Sequence, residues 1–494
     1  MAQNSANQTS GPANLTTTRA AALYIGAILG PGLLLMPGLA AAQAGPASIL
    51  AWLGLLTLSG LFAAVFSGLG RRVPSAGGVM GYVTAGLGAR AGRAAGWMFL
   101  AGVIGGAPIV CLIGASYITD LTGGGLPARA AVAAAILLIV IGTAACGLRA
   151  GTSIQLVLVT LLTVVIVVAV TGSASAERIS NWTPFAPHGW MSVGSAASTL
   201  MFSFVGWEAV APLTTRFANP SKQLPRAVAI ALAVTTALYL ALATATIGVL
   251  GPKAATDVPL AGLLSHVIGT AGPTAAAVAA IVLTIGTTNA YINGAAAMTA
   301  ELIQPKPGGA PGAPKRLLLA AIAITGIVLL LAYGLHLVST AALVAAPTTL
   351  FLAVYLGAMT AALRVLRGAA RLAAIPGAAA VLIMLTFCTW ALVLPAAVAL
   401  ITARKPLRSR QSPRPPQTGG SRPITSDDRY SGLGSQRNRR TATAMPTTPH
   451  SASTSSWCVP TPECCESGPV SASLNGRTGS QPVIWVSHFE LIGM

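Results

Sequence analysis

From residue 21 to residue 402, long apolar runs alternate with short polar or charged loops. Each run is about 20 residues long, the length at which a helix rising about 1.5 Å per residue crosses the hydrocarbon core of a bilayer. The runs cover 21–43, 47–70, 94–118, 130–146, 153–170, 191–213, 227–250, 273–302, 317–338 and 341–363. The stretch 372–402 is too long for one span and fits two short ones folded as a hairpin, with the turn at 388–390. The pattern therefore predicts an all-α polytopic membrane protein of about twelve transmembrane helices, with eleven as the alternative count. Residues 71–93 read as a loop rich in Arg and Gly.

Two of the runs are poor plain helices. The first carries Gly30-Pro31-Gly32 at its centre and Pro37-Gly38 one and a half turns later. Pro lacks a backbone donor and Gly adds backbone freedom, so such a run either kinks or breaks. Lipid cannot satisfy the backbone groups that a break releases, so a break needs protein, water or a ligand beside it. The sixth run contains Phe202-Ser203-Phe204-Val205-Gly206-Trp207-Glu208. A carboxylate at bilayer depth costs at least ~2.5 kcal/mol on insertion scales, so Glu208 is expected to face a cavity or to be protonated. Loop charge directs the first run outward and the sixth inward. Two broken helices of opposite sense, five helices apart, predict inverted repeats with a substrate site between them at the midplane. Half-helix N-termini suit a carboxylate, and unwound carbonyls suit an ammonium. A site offering both suits a zwitterionic amino acid.

Charge refines the topology. The chain is 54% hydrophobic and only 8% charged, which excludes an ordinary soluble domain. The net charge of +19 does not indicate nucleic-acid binding, because the basic residues punctuate the ends of apolar runs. With the N-terminus in the cytoplasm, only Arg129, Arg178 and Lys253 fall on outer loops, and the other loop arginines and lysines lie inside. Residues 1–18 carry no basic n-region, so no cleavable signal is expected and they read as a cytoplasmic tail. Residues 19–403 form the transmembrane domain. Residues 404–494 turn basic and rich in Ser, Pro and Thr, and read as a disordered cytoplasmic tail whose composition would also fit a frame-shifted C-terminus. Its Cys458, Cys464 and Cys465 match no standard zinc spacing, so neither a metal nor a cofactor is expected.

Three stretches resemble the amino acid–polyamine–organocation transporter superfamily: Gly30-Pro31-Gly32 with Pro37; the loop RRVPSAGGVMGYV at 71–83; and FSFVGWEAVAPLTTRFANPSKQLPRAV at 202–228. Pro108 and Asn289-Ala290-Tyr291-Ile292 add a likeness to the branch that exports L-methionine and branched-chain amino acids. The resemblance implies a LeuT-like fold of inverted five-helix repeats with helices 1 and 6 broken. It implies that the backbone at Gly30, Pro31, Gly32 and Leu33 takes the substrate carboxylate, with Gly32 and Leu33 the better donors because Pro31 has no N–H. The backbone at Phe202, Ser203, Phe204 and Val205, beside Gly206, takes the amine, and Trp207 or Phe204 closes over the substrate.

The resemblance implies that some relatives place a Lys ammonium on the fifth helix in place of sodium; the fifth run contains no Lys here, so Glu208 is expected to be the proton-linked group. Thr287 and Thr288 could instead offer oxygens to sodium, although hydroxyls in membrane helices mostly bond to backbone. Pro108, Asn289 and Tyr291 are further candidates for the lining. No HExxH, GxSxG or paired acids lie within the spans, so no catalytic residues and no enzyme are expected. The expected function is secondary transport of neutral hydrophobic amino acids (Met, Leu, Ile, Val) across the plasma membrane, as proton-linked efflux, with uptake or antiport as the alternative.

Overall fold

A computed structural model describes residues 15–30, 32–73, 78–147, 152–207, 217–303 and 312–404, with backbone only for 152–155. Pro31, Glu208 and the tail therefore lie outside the described residues. The described chain forms helices without a strand. The first apolar run is split into α1 (Thr17–Ile28) and α2 (Gly32–Ala44). Thr16 caps α1, its hydroxyl accepting from the Arg19 N–H at 3.3 Å. A 3-10 turn at Gly45–Ala47 leads into α3 (Ser48–Arg72). Then follow α4 (Gly78–Leu87), α5 (Ala89–Thr122), α6 (Leu126–Ala145), α7 (Thr152–Ser173) and α8 (Met191–Leu200). The sixth run unwinds as expected. From α8 the chain tightens into a 3-10 segment, Met201–Phe204, and then opens into extended backbone at Val205. The second half holds α9 (Pro220–Leu250), α10 (Pro259–Ile268), α11 (Ala271–Leu302), α12 (Ala313–Gly334), α13 (Thr340–Val365), α14 (Ala369–Thr386) and α15 (Val393–Arg404).

Among the described residues, nine helical stretches are long and apolar enough to cross a membrane, with α2 and α3 counted as one. Helices α7, α12 and α14 expose Val157, Val164, Ile324, Ile327, Leu372 and Leu382. Apolar side chains turned outward on several helices are what a hydrocarbon solvent selects. Most residues of α2, α3, α5 and α13 are buried, and these helices form the inside.

One expectation needs correction, and two further regions gain detail. The 71–93 stretch is not a plain loop: it holds α4, which buries Val79, Tyr82 and Val83 and packs against α5 and α13. The region between the seventh and eighth runs holds α10, whose Leu260, Leu263 and Leu264 are buried and which packs against α11 and α7. Both helices are too short to cross a bilayer, so a search for spans passes over them. The stretch at 372–402 does divide in two, through a 3-10 turn at Thr389–Leu392. Both pieces pack against α13, and each adds a partner of its own: α3 for α14 and α5 for α15.

Candidate functional site

The two breaks touch each other. A Cβ built on Gly206 would lie 2.6 Å from the Ala27 carbonyl oxygen and 3.1 Å from the Ile28 Cα. One built on Gly32 would lie 2.8 Å from Ser203 Oγ and 3.3 Å from the Ser203 Cα. Side chains are absent at these two positions because the opposing break occupies the space, with backbone at Gly206 and chiefly the Ser203 side chain at Gly32.

Crossing two unwound helices inside the bundle releases carbonyls far from water. Tyrosines on neighbouring helices supply protons to them. Tyr239 Oη of α9 lies 2.8 Å from both the Ile28 and the Ser203 carbonyls. Tyr291 Oη of α11 lies 2.8 Å from the Val205 carbonyl and 3.2 Å from that of Ala27. Tyr355 Oη of α13 donates to the Phe204 carbonyl at 3.3 Å. Tyr117 Oη of α5 donates at 2.8 Å to the Leu34 carbonyl, three residues before Pro37, where the missing proline N–H weakens the helical ladder. Tyr239 and Tyr291 thus each share one proton between the two breaks, so acceptor capacity on these carbonyls exceeds the protons supplied.

A cavity opens beside the crossing. Its wall takes Ile28, Gly30 and Gly32 from the first break and Phe202, Ser203 and Val205 from the second. Helix α5 contributes Gly102, Val103, Gly106, Ala107 and Val110, which recur at helical spacing on one face. Thr287, Thr288 and Tyr291 come from α11 and Phe351 from α13. No charged side chain belongs to this wall among the described residues. It is apolar apart from backbone, two threonines, a serine and a tyrosine.

Of the residues singled out from sequence, Gly30, Gly32, Phe202, Ser203, Val205, Thr287, Thr288 and Tyr291 line this cavity. The others do not. Phe204 stacks on Tyr239 at 5.1 Å between ring centres and faces Trp52. Trp207 is 1% exposed, packs against Tyr24 and donates its indole N–H to Ser59 Oγ at 3.0 Å. Both rings therefore point into the packing with α1, α3 and α9, and Phe202, Tyr291 and Phe351 are the aromatic residues of the cavity wall. Unwinding rotates each side chain differently from an ideal helix, which a linear reading does not reveal. Leu33 is fully buried, and its N–H donates to the Gly30 carbonyl at 3.1 Å, so it is not an available donor. The Gly30 N–H is likewise used, donating to the Ile28 carbonyl at 2.8 Å. Pro108 lies on the α12 side of α5, against Gly326. Asn289 is buried and accepts from Asn293 Nδ2. Thr288 Oγ1 donates to the Thr284 carbonyl at 2.7 Å, the backbone bond usual for a hydroxyl in a membrane helix.

Residues 15–410 match the amino acid permease family. The chain belongs to that family. It is similar to an uncharacterized amino acid permease, YecA, of Bacillus subtilis, at 31% identity over 78% of this chain and 93% of that protein. It is similar to the L-methionine/branched-chain amino acid exporter YjeH of Escherichia coli, at 28% identity over 74% of this chain and 88% of that protein. The branched-chain amino acid permease BcaP of B. subtilis matches at 27% identity over 46% of this chain and 53% of that protein. Membership makes the chain a multi-pass membrane transporter of the amino acid–polyamine–organocation superfamily and not an enzyme. In this permease the wall residues that sequence reasoning missed are Ile28, those of α5 and Phe351. The Gly102–Gly106 pair, four residues apart with Ala107 beside it, is the small-residue signal that would have marked the α5 face.

Proposed function

We propose that this permease moves neutral amino acids with hydrophobic side chains, such as methionine, leucine, isoleucine and valine, across the plasma membrane by alternating access. The observation that carries the reading is the cavity at the crossing of the two breaks. Its polar atoms gather where the backbone unwinds, and its remaining wall is Val103, Ala107, Val110, Phe202 and Phe351. A zwitterionic end group fits the first part and an aliphatic side chain the second. A charged side chain would meet no counter-charge among the described residues of the wall, and its desolvation would go uncompensated by them. The similarity to a methionine and branched-chain amino acid exporter supports the same substrates and favours efflux. Uptake is the second reading, supported by the similarity to a branched-chain amino acid permease. Both termini are assigned to the cytoplasm from the bias of basic loops. Glu208 is assigned the coupling proton because it is the one acidic residue within the apolar runs of the sequence away from their ends.

The test is counterflow of labelled leucine and methionine in proteoliposomes, with and without a pH gradient. Expected is exchange of both, accelerated by the gradient. Absence of counterflow for every neutral amino acid tried would sink the reading. Glu208→Gln is expected to keep exchange and lose its pH dependence; a pH profile identical to wild type removes Glu208 from coupling.

A further inference from the structure

Ser203 Oγ and Thr287 Oγ1 are the two side-chain polar atoms of the cavity wall that are buried without a hydrogen-bond partner among the described residues. Ser203 is 4% exposed and Thr287 is 3% exposed. Most hydroxyls of this bundle bond back to the carbonyl four residues earlier, as Thr288, Thr299 and Ser116 do. A buried hydroxyl without a partner is costly, so it is retained where something else bonds it.

The placement of the pair says what that partner is. Ser203 Oγ sits against Gly32, and Thr287 packs its methyl 3.8 Å from the position of a Cβ on Gly30. The two hydroxyls thus flank the first break, where the 13-residue helix α2 begins. The N–H groups of its first turn lack acceptors within the helix, and its end carries partial positive charge. That environment favours an anion over an ammonium. Acceptors are also in excess nearby, on the Ala27, Ile28, Ser203 and Val205 carbonyls. Two of the break's own donors are taken, since the Gly30 and Leu33 N–H groups bond to the Ile28 and Gly30 carbonyls, and residue 31 is a proline, so the hydroxyls add donors beside the remaining N–H groups of the first turn.

We infer that Ser203 and Thr287 donate their hydroxyls to the carboxylate of the amino acid substrate, and so set the preference of this permease for a free carboxylate over an uncharged end group. The assignment rests on the transport reading above. The cavity's apolar wall selects the side chain, and the hydroxyl pair selects the end group.

The experiment is leucine counterflow in proteoliposomes, competed by unlabelled leucine or by leucinamide, which keeps the amine and side chain but has no carboxylate. Wild type is expected to prefer leucine strongly. Ser203→Ala and Thr287→Val are each expected to raise KM for leucine about tenfold and to shrink the leucine-to-leucinamide preference by a similar factor, with maximal rate changed less. Thr287→Ser, which restores the hydroxyl, is expected to recover both. Because each Ala or Val change removes an unpartnered group, the melting temperature of the substrate-free protein is expected to hold or rise. Should Ser203→Ala not fold, Thr287→Val and its serine rescue carry the test. An unchanged leucine-to-leucinamide preference in a transporting variant overturns the assignment alone. So does a wild-type sodium requirement that Thr287→Val abolishes, since the hydroxyls would then hold a cation. Wild-type protein that moves no neutral amino acid overturns both this assignment and the reading beneath it.

Discussion

Gly206→Ala is expected to reduce leucine counterflow by at least an order of magnitude and to lower the melting temperature of the purified protein, while Gly54→Ala changes neither. The Cβ at position 206 would meet three backbone atoms of the opposing break: the Ala27 oxygen at 2.6 Å, the Ala27 carbon at 2.9 Å and the Ile28 Cα at 3.1 Å. A side chain in the way could rotate aside, but these atoms are fixed by α1. Overpacking a well-filled core costs about 1–3 kcal/mol where neighbours can shift, and more where they cannot. The relief available here is to move the two breaks apart, which also pulls Ile28 and Ser203 away from their shared proton on Tyr239. At Gly54 the added methyl meets nothing within 4 Å, so it reports the background effect of Gly→Ala in a helix. Gly32→Ala is expected to fall between the two, because its closest neighbour, Ser203 Oγ, belongs to a side chain that can turn away. Near wild-type counterflow for Gly206→Ala would mean that the crossing is loose enough to be irrelevant to transport.

The positions of both breaks were legible because the cause is local. Proline and glycine in an apolar run announce lost donors without any knowledge of the partner helix, as at Gly30-Pro31-Gly32. The candidate site followed from pairing that run with 202–208, since two breaks of opposite sense need each other. What the sequence hid was everything decided by rotation or by distant partners. Phe204 and Trp207 are as aromatic as Phe202, and only the dihedral angles of the unwound segment turn Phe202 toward the cavity and the other two into the core. Leu33 has an N–H like any residue, and the turn that spends it on Gly30 is not encoded in residue type. Tyr239 lies 211 residues from Ile28 along the chain and reads as one more apolar core residue of a long helix. The same holds for α4 and α10, whose buried faces are regular but too short to register as spans. For transporters of this build, local chemistry therefore locates the site, and tertiary contacts decide which atoms of it remain available.

Those distant tyrosines make the second large effect. Tyr239→Phe keeps the ring that stacks between Trp52 and Phe204, at 5.2 and 5.1 Å between centres, and removes only the hydroxyl. The ring packing is thus preserved and the change isolates one proton. Without it the Ile28 and Ser203 carbonyls lose the donor that joins the two breaks, in a place that water reaches poorly. A buried acceptor left unsatisfied costs about 1–3 kcal/mol, and two are served by this single proton. Expected is a lower melting temperature, together with a lowered exchange rate, because the breaks no longer hold the geometry that lines the cavity. Tyr24→Phe is the matched control: Tyr24 is also buried and packs on Trp207, but its hydroxyl bonds to no described residue, so stability and transport are expected to stay near wild type. Tyr291→Phe removes the other bridge, between Val205 and Ala27, and is expected to add to Tyr239→Phe more than the sum of the single changes, since either bridge alone can keep the breaks together. The measurement is a double-mutant cycle on melting temperature and on counterflow. Strict additivity would show that the tyrosines satisfy separate carbonyls without clamping one helix to the other, and the breaks would then be held by packing at Gly32 and Gly206 alone.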